Sequence, residues 1–469
     1  MAFSEVNIRV LDPRRFRDIL TDGWEQVAEG IVEANALLAG RAIWHVNSTP
    51  RGGGVAELLR SLLAYARGVG VDSRWIAIAG GPEFFEITKR LHNRLHGHEG
   101  DGGELGEHQS SVYEATLNAL AAEFAALVHP EDIVFIHDPQ PAGMLGAIQA
   151  RGIPVVWRCH VGIDQPNDLA RSAWEFLRPY VEPADAFVFS RPAFVWEWMD
   201  RDRVSIIHPS IDAFSPKNQE MTEEQAGAIL RAVGLFDGGP EGAATFVRED
   251  GTPGRVNRPA EVIQDDFVPA GSPVVAQVSR WDALKDPVGV VRFYGEHVGD
   301  RDAHLALAGP APGTVSDDPE ALAVLDSTRA ARDELEPALR ERIHLAVLPM
   351  EDAEENAAIV NALQRRSHVV VQKSLAEGFG LTVAEAMWKG RPVVASAVGG
   401  IQDQIVDGET GLLVADPTDG RAFGEAVSAL LADPGRAGAM GAAGRERVRG
   451  EFLGPAHMIR YLELIKTLI

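Results

Sequence analysis

Short runs of apolar, mostly β-branched residues recur along the chain and alternate with stretches of helical period. In the first half they lie at residues 42–46, 75–79, 133–136, 154–158, 186–189 and 204–207. A second series lies at 274–278, 304–308, 343–347, 369–371, 393–395 and 412–414. Runs of this kind are typical of buried strands, so the pattern predicts two α/β halves, each with a mainly parallel sheet and right-handed crossovers.

Helical patterns separate several of these strands. An i, i+3, i+4, i+7, i+8 stripe, which predicts a helix packed on the first sheet, is formed by Val55, Leu58, Leu59, Leu62 and Leu63. Further helices are predicted in the second half of residues 1–40 and at 223–233, 381–389 and 456–469. The last of these helices is expected to pack back on the first half.

The length of 469 residues exceeds one hydrophobic core and predicts at least two domains. Residues 213–271 are rich in glycine, proline and acidic residues, which indicates a connection with a surface insertion. A small third domain is the alternative, but apolar residues are scarce there. The expected plan is a helical lead-in at 1–40, a Rossmann-like domain at 41–212, the connection at 213–271, a second Rossmann-like domain at 272–455, and a final helix at 456–469. Two doubly wound halves facing each other would enclose an inter-domain cleft.

Charge and cysteine content exclude several classes of function. The net charge of −24 argues against a nucleic-acid partner or an anionic membrane surface. Cys159 is the only cysteine, which excludes an intramolecular disulfide and a multi-cysteine metal site. No apolar stretch reaches the ~18 residues that a spanning helix needs, and the N-terminus lacks a signal-peptide pattern. We therefore expect a cytoplasmic protein that acts on small molecules, with a homodimer as an open alternative.

Residues 374–390 have the strongest chemical signal. A predicted strand leads there into a glycine-containing turn and a short helix, whose first N–H groups favour an anion. Glu377 lies in the turn, and Glu385 lies about one helical turn inside the helix. This arrangement suits a nucleotide sugar, because one carboxylate can bind hydroxyls of its hexose and the other can bind hydroxyls of its ribose. The alternative is a buried strand and helix with a charged cap. The backbone expected to approach a diphosphate comprises Gly378, Phe379, Gly380, Leu381 and Thr382.

Two cations provide the charge balance that a diphosphate beside two glutamates requires. Arg280 and Lys285 follow the first strand of the second half. Arg280 can bind diphosphate oxygens bidentately, and Lys285 adds a compact charge. An isolated pair on a loop would more often be solvated. The position after a buried strand favours phosphate binding.

Polar residues also follow the strands of the first half, where ligands of doubly wound sheets bind. His160 could hydrogen-bond a sugar or offset charge in the transition state, and a structural histidine at a strand end is the alternative. The triplet Gly52, Gly53 and Gly54 is a weak phosphate signal, because it lacks the Gly-x-Gly-x-x-Gly spacing. The residues interpreted as acceptor-binding are Asn47, His137, Asp138 and Gln140.

Glu377 and Glu385, joined by Gly-Phe-Gly-Leu-Thr-Val-Ala, resemble the Glu-x7-Glu signature of retaining family 4 glycosyltransferases. Enzymes of that family have the two-domain GT-B fold. Arg280 and Lys285 match the family's donor-phosphate pair, and His160 matches a histidine near the transferred sugar. By this resemblance Glu377 contacts the hexose and Glu385 the donor ribose, and the implied catalytic residues are His160, Arg280, Lys285 and Glu377.

The first half resembles one subgroup, the trehalose glycosyltransferring synthases and the related trehalose phosphorylases. The motifs lie at 43–49, 52–57, 83–89, 92–93, 137–141 and 157–160, and in the second half at 385–389 and 399–403. The likeness covers about residues 41–212 and 272–469, whereas residues 213–271 are longer than the family pattern.

This resemblance implies reversible transfer of glucose from a nucleoside diphosphate glucose to free glucose, giving α,α-trehalose with the anomeric configuration retained. No tightly bound cofactor and no metal are implied, and a Mg²⁺ requirement stays open. Three alternatives remain: a phosphorylase that uses phosphate or glucose 1-phosphate, a hydrolysing sugar epimerase, and a catalytically silent sugar-binding protein. The base of the nucleotide is not indicated.

Overall fold

The computed structural model describes residues 3–20, 23–50, 54–239, 242–299, 302–313 and 320–469. These residues fall into two units. The first unit comprises Met1–Ser210 together with Gly450–Ile469, and the second comprises Ile211–Arg449. The C-terminal segment therefore belongs to the same unit as the N-terminal half of the chain.

One sheet forms the centre of the first unit. Its described strands are β1 (Phe3–Glu5), β2 (Ala42–Asn47), β3 (Asp72–Ile78), β4 (Ile133–His137), β5 (Val155–Cys159), β6 (Ala186–Phe189) and β7 (Val204–Ile206). They lie in the order β1-β3-β2-β4-β5-β6-β7, and only β1 pairs antiparallel with its neighbour. The six predicted strands are confirmed. The sequence does not predict β1, because a three-residue edge strand has too few side chains to show a period.

Helices cover both faces of this sheet. Along β2, Trp44 and Val46 are buried in one apolar cluster, whereas Ile43 is buried in another, as the alternation of side chains along a strand requires. Pro82–Leu95 and Glu107–Ala125 pack on the first face. The helices are α1 (Arg17–Leu20), α2 (Trp24–Leu37), α3 (Gly54–Gly68), α4 (Pro82–Leu95), α5 (Glu107–Ala125), α6 (Leu145–Gln149) and α7 (Asp168–Val181).

The second unit repeats the doubly wound plan. Its strands are β8 (Phe236–Asp237), β9 (Thr245–Val247), β10 (Pro253–Arg255), β11 (Glu261–Ile263), β12 (Val268–Pro269), β13 (Val274–Val278), β14 (His304–Pro310), β15 (Ile343–Leu348), β16 (Val369–Gln372), β17 (Val393–Ser396) and β18 (Leu412–Val414). The main sheet has the order β11-β15-β14-β13-β16-β17-β18, and among these described strands only β11 is antiparallel to its neighbour. The six predicted strands are again confirmed, and the short edge strand β11 is again unpredicted.

The helices of the second unit include the predicted one after β16. They are α8 (Glu223–Ala232), α9 (Pro287–His297), α10 (Ala321–Asp333), α11 (Pro337–Arg340), α12 (Ala353–Arg366), α13 (Leu381–Trp388), α14 (Ile401–Gln404), α15 (Gly420–Ala432) and α16 (Pro434–Glu451). Over the ranges that the structure describes, no helix is both long and apolar enough to cross a bilayer.

The described part of residues 213–271 packs closely on the second sheet. Thr222 and Gln225 form a capping box that begins α8. Ile229, Leu230 and Phe246 are buried in the same apolar cluster as side chains of β13, β14 and α12. The segment therefore covers one face of the sheet, and its few apolar residues are sufficient for that purpose.

The final helix, α17 (Gly454–Lys466), returns to the first unit and packs on α2 and α3. Tyr461, Leu464 and Ile465 are buried in the cluster that contains Ile43 of β2. The first unit is thus completed by residues from both ends of the chain.

Candidate active site

The strand order of the second unit reverses between β13 and β16, because the chain adds β14 on one side of β13 and β16 on the other. Ligands of doubly wound sheets bind beyond the carboxyl ends of the strands at such a point. Arg280 and Lys285 lie in the loop after β13, and Glu377 lies in the loop after β16. The two loops are joined directly, since the Leu375 N–H donates to the Leu284 carbonyl at 2.7 Å.

Gln277 of β13 connects the same loops through its side chain, which is buried. Its Nε2 donates to the Lys285 carbonyl at 2.8 Å, and its Oε1 accepts from the Lys373 N–H at 2.9 Å. Both ends of a buried amide therefore hold loop backbone in place. Gln277 was not predicted from the sequence, because one glutamine inside an apolar strand has no diagnostic spacing.

Lys285 and Glu377 form a close ion pair. The Lys285 Nζ lies 2.5 Å from Glu377 Oε2, and Ser374 Oγ donates to the same oxygen at 3.2 Å. Both side chains of the pair are mostly buried, with exposed fractions of 16% and 13%. The cation predicted to bind phosphate and the carboxylate predicted to bind sugar therefore occupy one location.

Arg280 is held less tightly. Its guanidinium donates to Asp282 Oδ2 at 3.0 Å, and its side chain is 41% exposed. Asp282 Oδ1 accepts from the Leu284 N–H at 2.8 Å and begins the single helical turn that presents Lys285. An anion can therefore reach Arg280 from solvent, while Asp282 sets the direction of the guanidinium.

The loop after β17 supports the glutamate turn. Gly399 has a φ of 50°, and a Cβ there would lie 1.7 Å from the Glu377 carbonyl oxygen. The Gly400 N–H donates to the Gly378 carbonyl at 3.0 Å. Gly380, with a φ of 83°, is the residue before α13. This close approach of two backbones requires glycine at position 399.

The other residues of the predicted diphosphate segment are held by contacts within the second unit. Phe379 is buried, and its carbonyl accepts from the Gln404 side chain. Leu381 is the first residue of α13, and Thr382 Oγ1 donates to Gln372 Oε1 at 3.0 Å. These contacts stabilise the turn through the protein interior.

Glu385 lies in the second turn of α13 and is buried. The Lys217 Nζ lies 3.6 Å from its Oε1. Lys389, also buried, donates to the Glu385 carbonyl oxygen at 3.1 Å and to Asn218 Oδ1 at 2.9 Å. Burial lowers the pKa of the Lys389 ammonium, and the Glu385 carboxylate opposes that shift. Sequence reasoning missed Lys217 and Asn218, because they lie far from α13 along the chain.

In the first unit the strand order reverses between β2 and β4, and Asn47 and His137 are the last residues of these strands. Asn47 is buried, its Oδ1 accepts from Trp75 Nε1 at 2.8 Å, and its Nδ2 donates to the Thr49 carbonyl at 2.8 Å. The Asn47 amide therefore holds the start of the following loop.

Asp138 follows β4 with a φ of 63°, one of two positive values among the described non-glycine residues; the other is 44° at Asp286, in the loop after β13. Strained residues of this kind concentrate at functional sites. Asp138 Oδ1 accepts from the His160 N–H at 2.7 Å. Burial raises the pKa of Asp138 to about 7, because the carboxylate loses hydration.

His45, His137 and His160 form a connected group, called here the histidine chain. His45 Nδ1 lies 3.0 Å from His137 Nε2, and His137 Nδ1 lies 3.2 Å from His160 Nε2. Arg158 Nε donates to His160 Nε2 at 3.1 Å. Burial lowers the pKa of His45 to about 3 and holds the pKa of the other two well below the ordinary value. His45 and Arg158 were missed, because both lie inside apolar strands.

The remaining predicted residues lie around the same strand ends. Gln140 lies two residues after Asp138 and is half-buried, and Gly54 is the first residue of α3. Gly52 and Gly53, predicted to contact the donor, lie outside the described residues.

Two families match parts of the chain. Residues 45–196 match trehalose synthase, N-terminal domain, and residues 351–447 match glycosyl transferases group 1. The fold is similar to that of an alpha,alpha-trehalose-phosphate synthase (UDP-forming) from Burkholderia vietnamiensis, with a TM-score of 0.65, 15% identity, and coverage of 91% of this chain and 98% of that chain. The class is therefore that of the GT-B glycosyltransferases, with two Rossmann-like α/β units, as predicted.

Sequence comparison gives the family. The trehalose synthase of Pyrococcus horikoshii is 37% identical over 459 residues, which cover 97% of each protein. The trehalose phosphorylase of Pleurotus sajor-caju is 28% identical over 392 residues, which cover 78% of this chain and 50% of that protein. The chain belongs to the trehalose synthase family, and the resemblance predicted from its motifs is confirmed.

Proposed function

We propose that the protein transfers glucose reversibly from a nucleoside diphosphate glucose to free glucose, giving α,α-trehalose with retention of the anomeric configuration. The observation that supports this most is the meeting of Lys285 and Glu377 at the strand reversal of the second unit, where Arg280 lies in the same loop as Lys285. One cluster there offers cations for a diphosphate and a carboxylate for a hexose. A trehalose synthase relative that matches nearly the whole chain supports the choice of sugar.

The second unit is proposed to bind the donor. Arg280 and Lys285 bind the diphosphate, and the backbone of residues 378–382 adds N–H donors at the start of α13. When phosphate oxygens replace Glu377 as the partner of the Lys285 ammonium, the Glu377 carboxylate can accept hydrogen bonds from hexose hydroxyls. Glu385 accepts from the ribose hydroxyls, and Lys217, 3.6 Å away, balances its charge.

The first unit is proposed to bind the acceptor glucose. Asp138 and the half-buried Gln140 bind its hydroxyls, while Asn47 and His137, whose polar atoms contact other protein groups, hold the strand ends in position. His160 contacts the transferred sugar and, together with Glu377, orients it.

The mechanism proposed requires no carboxylate nucleophile. The acceptor hydroxyl attacks the anomeric carbon on the face from which the diphosphate leaves, and the leaving phosphate oxygen takes the hydroxyl proton. Arg280 and Lys285 stabilise the negative charge that develops on the diphosphate. No metal and no tightly bound cofactor are part of this proposal.

The reverse reaction tests the proposal. Enzyme and trehalose are incubated separately with ADP, UDP, GDP and inorganic phosphate, and free glucose and the glucosyl product are measured. We expect at least one nucleoside diphosphate to release glucose and a nucleoside diphosphate glucose, and phosphate to release neither. The nucleotide that reacts fastest identifies the preferred base.

Each other outcome selects a different function. Glucose 1-phosphate formed from phosphate alone would make the protein a phosphorylase. Glucose formed without nucleotide or phosphate would indicate hydrolysis. Binding of trehalose or nucleotide by titration calorimetry without any turnover would indicate a sugar-binding protein.

A further inference from the structure

Arg158 determines the direction of the hydrogen bonds in the histidine chain. It is fully buried, one guanidinium nitrogen donates to the Ile207 carbonyl at 2.9 Å, and its Cζ lies 5.5 Å from the centre of the Tyr461 ring of α17. A guanidinium has donors and no acceptor. His160 Nε2, 3.1 Å from Arg158 Nε, must therefore be an acceptor without a proton.

The same reasoning extends to the other two rings. His137 Nδ1 lies 3.2 Å from His160 Nε2, and two lone pairs facing each other at that distance would repel. His137 Nδ1 must therefore have the hydrogen, which leaves His137 Nε2 as an acceptor. His45 Nδ1, 3.0 Å away, must then be the donor to it. The heavy-atom positions are satisfied by one arrangement, with the hydrogen on Nδ1 in all three neutral rings.

His160 Nδ1 has no hydrogen-bond partner within the part of the chain that the structure describes, and the side chain is half-buried at the end of β5. This N–H is therefore available to a ligand at the carboxyl edge of the sheet. The Asp138 carboxylate accepts from the His160 backbone N–H at 2.7 Å and so holds the residue without contacting the ring nitrogens.

We propose that the histidine chain, anchored by Arg158, holds His160 in its Nδ1–H tautomer, so that His160 meets the transferred sugar as a neutral hydrogen-bond donor. His45, His137 and Arg158 are then positioning residues. The inference rests on the proposed function only in assigning the sugar as the ligand, because the tautomer follows from the geometry of the first unit.

The tautomer can be measured directly on the whole wild-type protein. Long-range ¹H–¹⁵N spectra of protein with ¹⁵N-labelled histidine distinguish a protonated Nδ1 from a protonated Nε2, and His45→Gln, His137→Gln and His160→Gln variants assign the signals. We expect Nδ1–H in all three rings between about pH 6 and 8, well above their lowered pKa values. A protonated Nε2 on His160, or a rapid exchange between tautomers, would overturn the proposal.

Two substitutions of His45 test the link to catalysis. His45→Leu removes the donor to His137 at little change in volume, and we expect kcat to fall about ten- to a hundredfold with changed His160 signals, as for outer partners of functional histidines elsewhere. His45→Asn retains an amide N–H near the position of Nδ1 and should restore much of that kcat. Equal kcat in the two variants would contradict a positioning role of the histidine chain.

His344→Leu is the matched control. His344 is also a buried histidine paired with another, His304, at 2.9 Å, but it lies near the amino end of its strand. We expect its replacement to lower stability and to leave kcat and the His160 signals unchanged. A loss of kcat equal to that of His45→Leu would show a general folding effect and would contradict the positioning role of the histidine chain.

The proposed function and this inference can fail separately. Wild-type turnover in His160→Ala would remove the sugar-contacting role from the proposed function, while the spectra would still decide the tautomer. Should His45→Leu fail to fold, the wild-type spectra alone decide between the two tautomers.

Discussion

Arg280 and Lys285 differ in their surroundings, although both are proposed to bind the diphosphate. Lys285 is mostly buried against Glu377, whereas Arg280 is partly exposed. Replacing either residue with alanine removes one donor from the developing charge of the leaving group. We expect each change to cost roughly 2–4 kcal/mol of transition-state stabilisation, measured through kcat/KM.

Arg421→Ala provides the control for these two variants. Arg421 is exposed on α15 and belongs to the same unit. Its replacement should leave kcat/KM unchanged. Near-normal turnover in both Arg280→Ala and Lys285→Ala would show that the diphosphate binds elsewhere.

Asp138 gives the first unit a distinctive pH dependence. Its pKa of about 7 lies above the ordinary 3.8, so its contribution to folding is fully present below about pH 4 and is lost as the pH rises through 7. We expect Asp138→Asn, which retains the acceptor for the His160 N–H, to match the wild type near pH 4 and to exceed it in unfolding free energy at pH 8. The difference should grow by about 1.4 kcal/mol per pH unit between about pH 4 and pH 7 and should stay constant above pH 7.

Urea unfolding of both proteins from pH 4 to pH 8 measures this difference. The buried histidines have the opposite sign, because their lowered pKa values remove stability as the pH falls below about 6.5. They are common to both proteins and cancel in the comparison. A difference that does not vary with pH would show that the Asp138 carboxyl titrates normally.

At the scale of elements, the turn before α13 is held by the loop after β17. Gly399→Ala would force a side chain into the left-handed region and against the Glu377 carbonyl, 1.7 Å away. We expect the unfolding free energy to fall by ~1–3 kcal/mol or more. We also expect kcat to fall, because Glu377 is displaced. Gly438→Ala is the control: in α16 a Cβ at that position meets nothing within 4 Å, and the change should stabilise the protein by about 0.5–1 kcal/mol. Equal effects of the two changes would contradict the close approach.

At the scale of the whole molecule, the first unit depends on a helix from the far end of the chain. Leu464 of α17 is 5% exposed, and Leu464→Ala should cost roughly 2–5 kcal/mol of stability. Hydrogen exchange should accelerate in the strands of the first unit. Ile469→Ala, at a position that is 43% exposed, should change neither quantity. Unaltered exchange in Leu464→Ala would mean that α17 adds little to that core.

The sequence by itself determined the twelve central strands, several of the helices and the family. Buried parallel strands are continuous apolar runs, and amphipathic helices repeat every three to four residues, so both can be recognised locally. The Glu-x7-Glu turn was found for the same reason, since Glu377, Gly380 and Glu385 lie within one short segment. Edge strands β1 and β11 were missed, because their pairing depends on distant partners.

Only the tertiary structure decided which side chains share a location. Lys285 meets Glu377 across 92 residues, and Lys217 meets Glu385 across a still longer stretch of chain. His45 and Arg158 join His137 and His160 only because β2, β4 and β5 are neighbours in the sheet. A one-dimensional pattern records the period of each element, whereas charge pairing and hydrogen-bond direction depend on distances between elements, which the chain acquires when the sheets form.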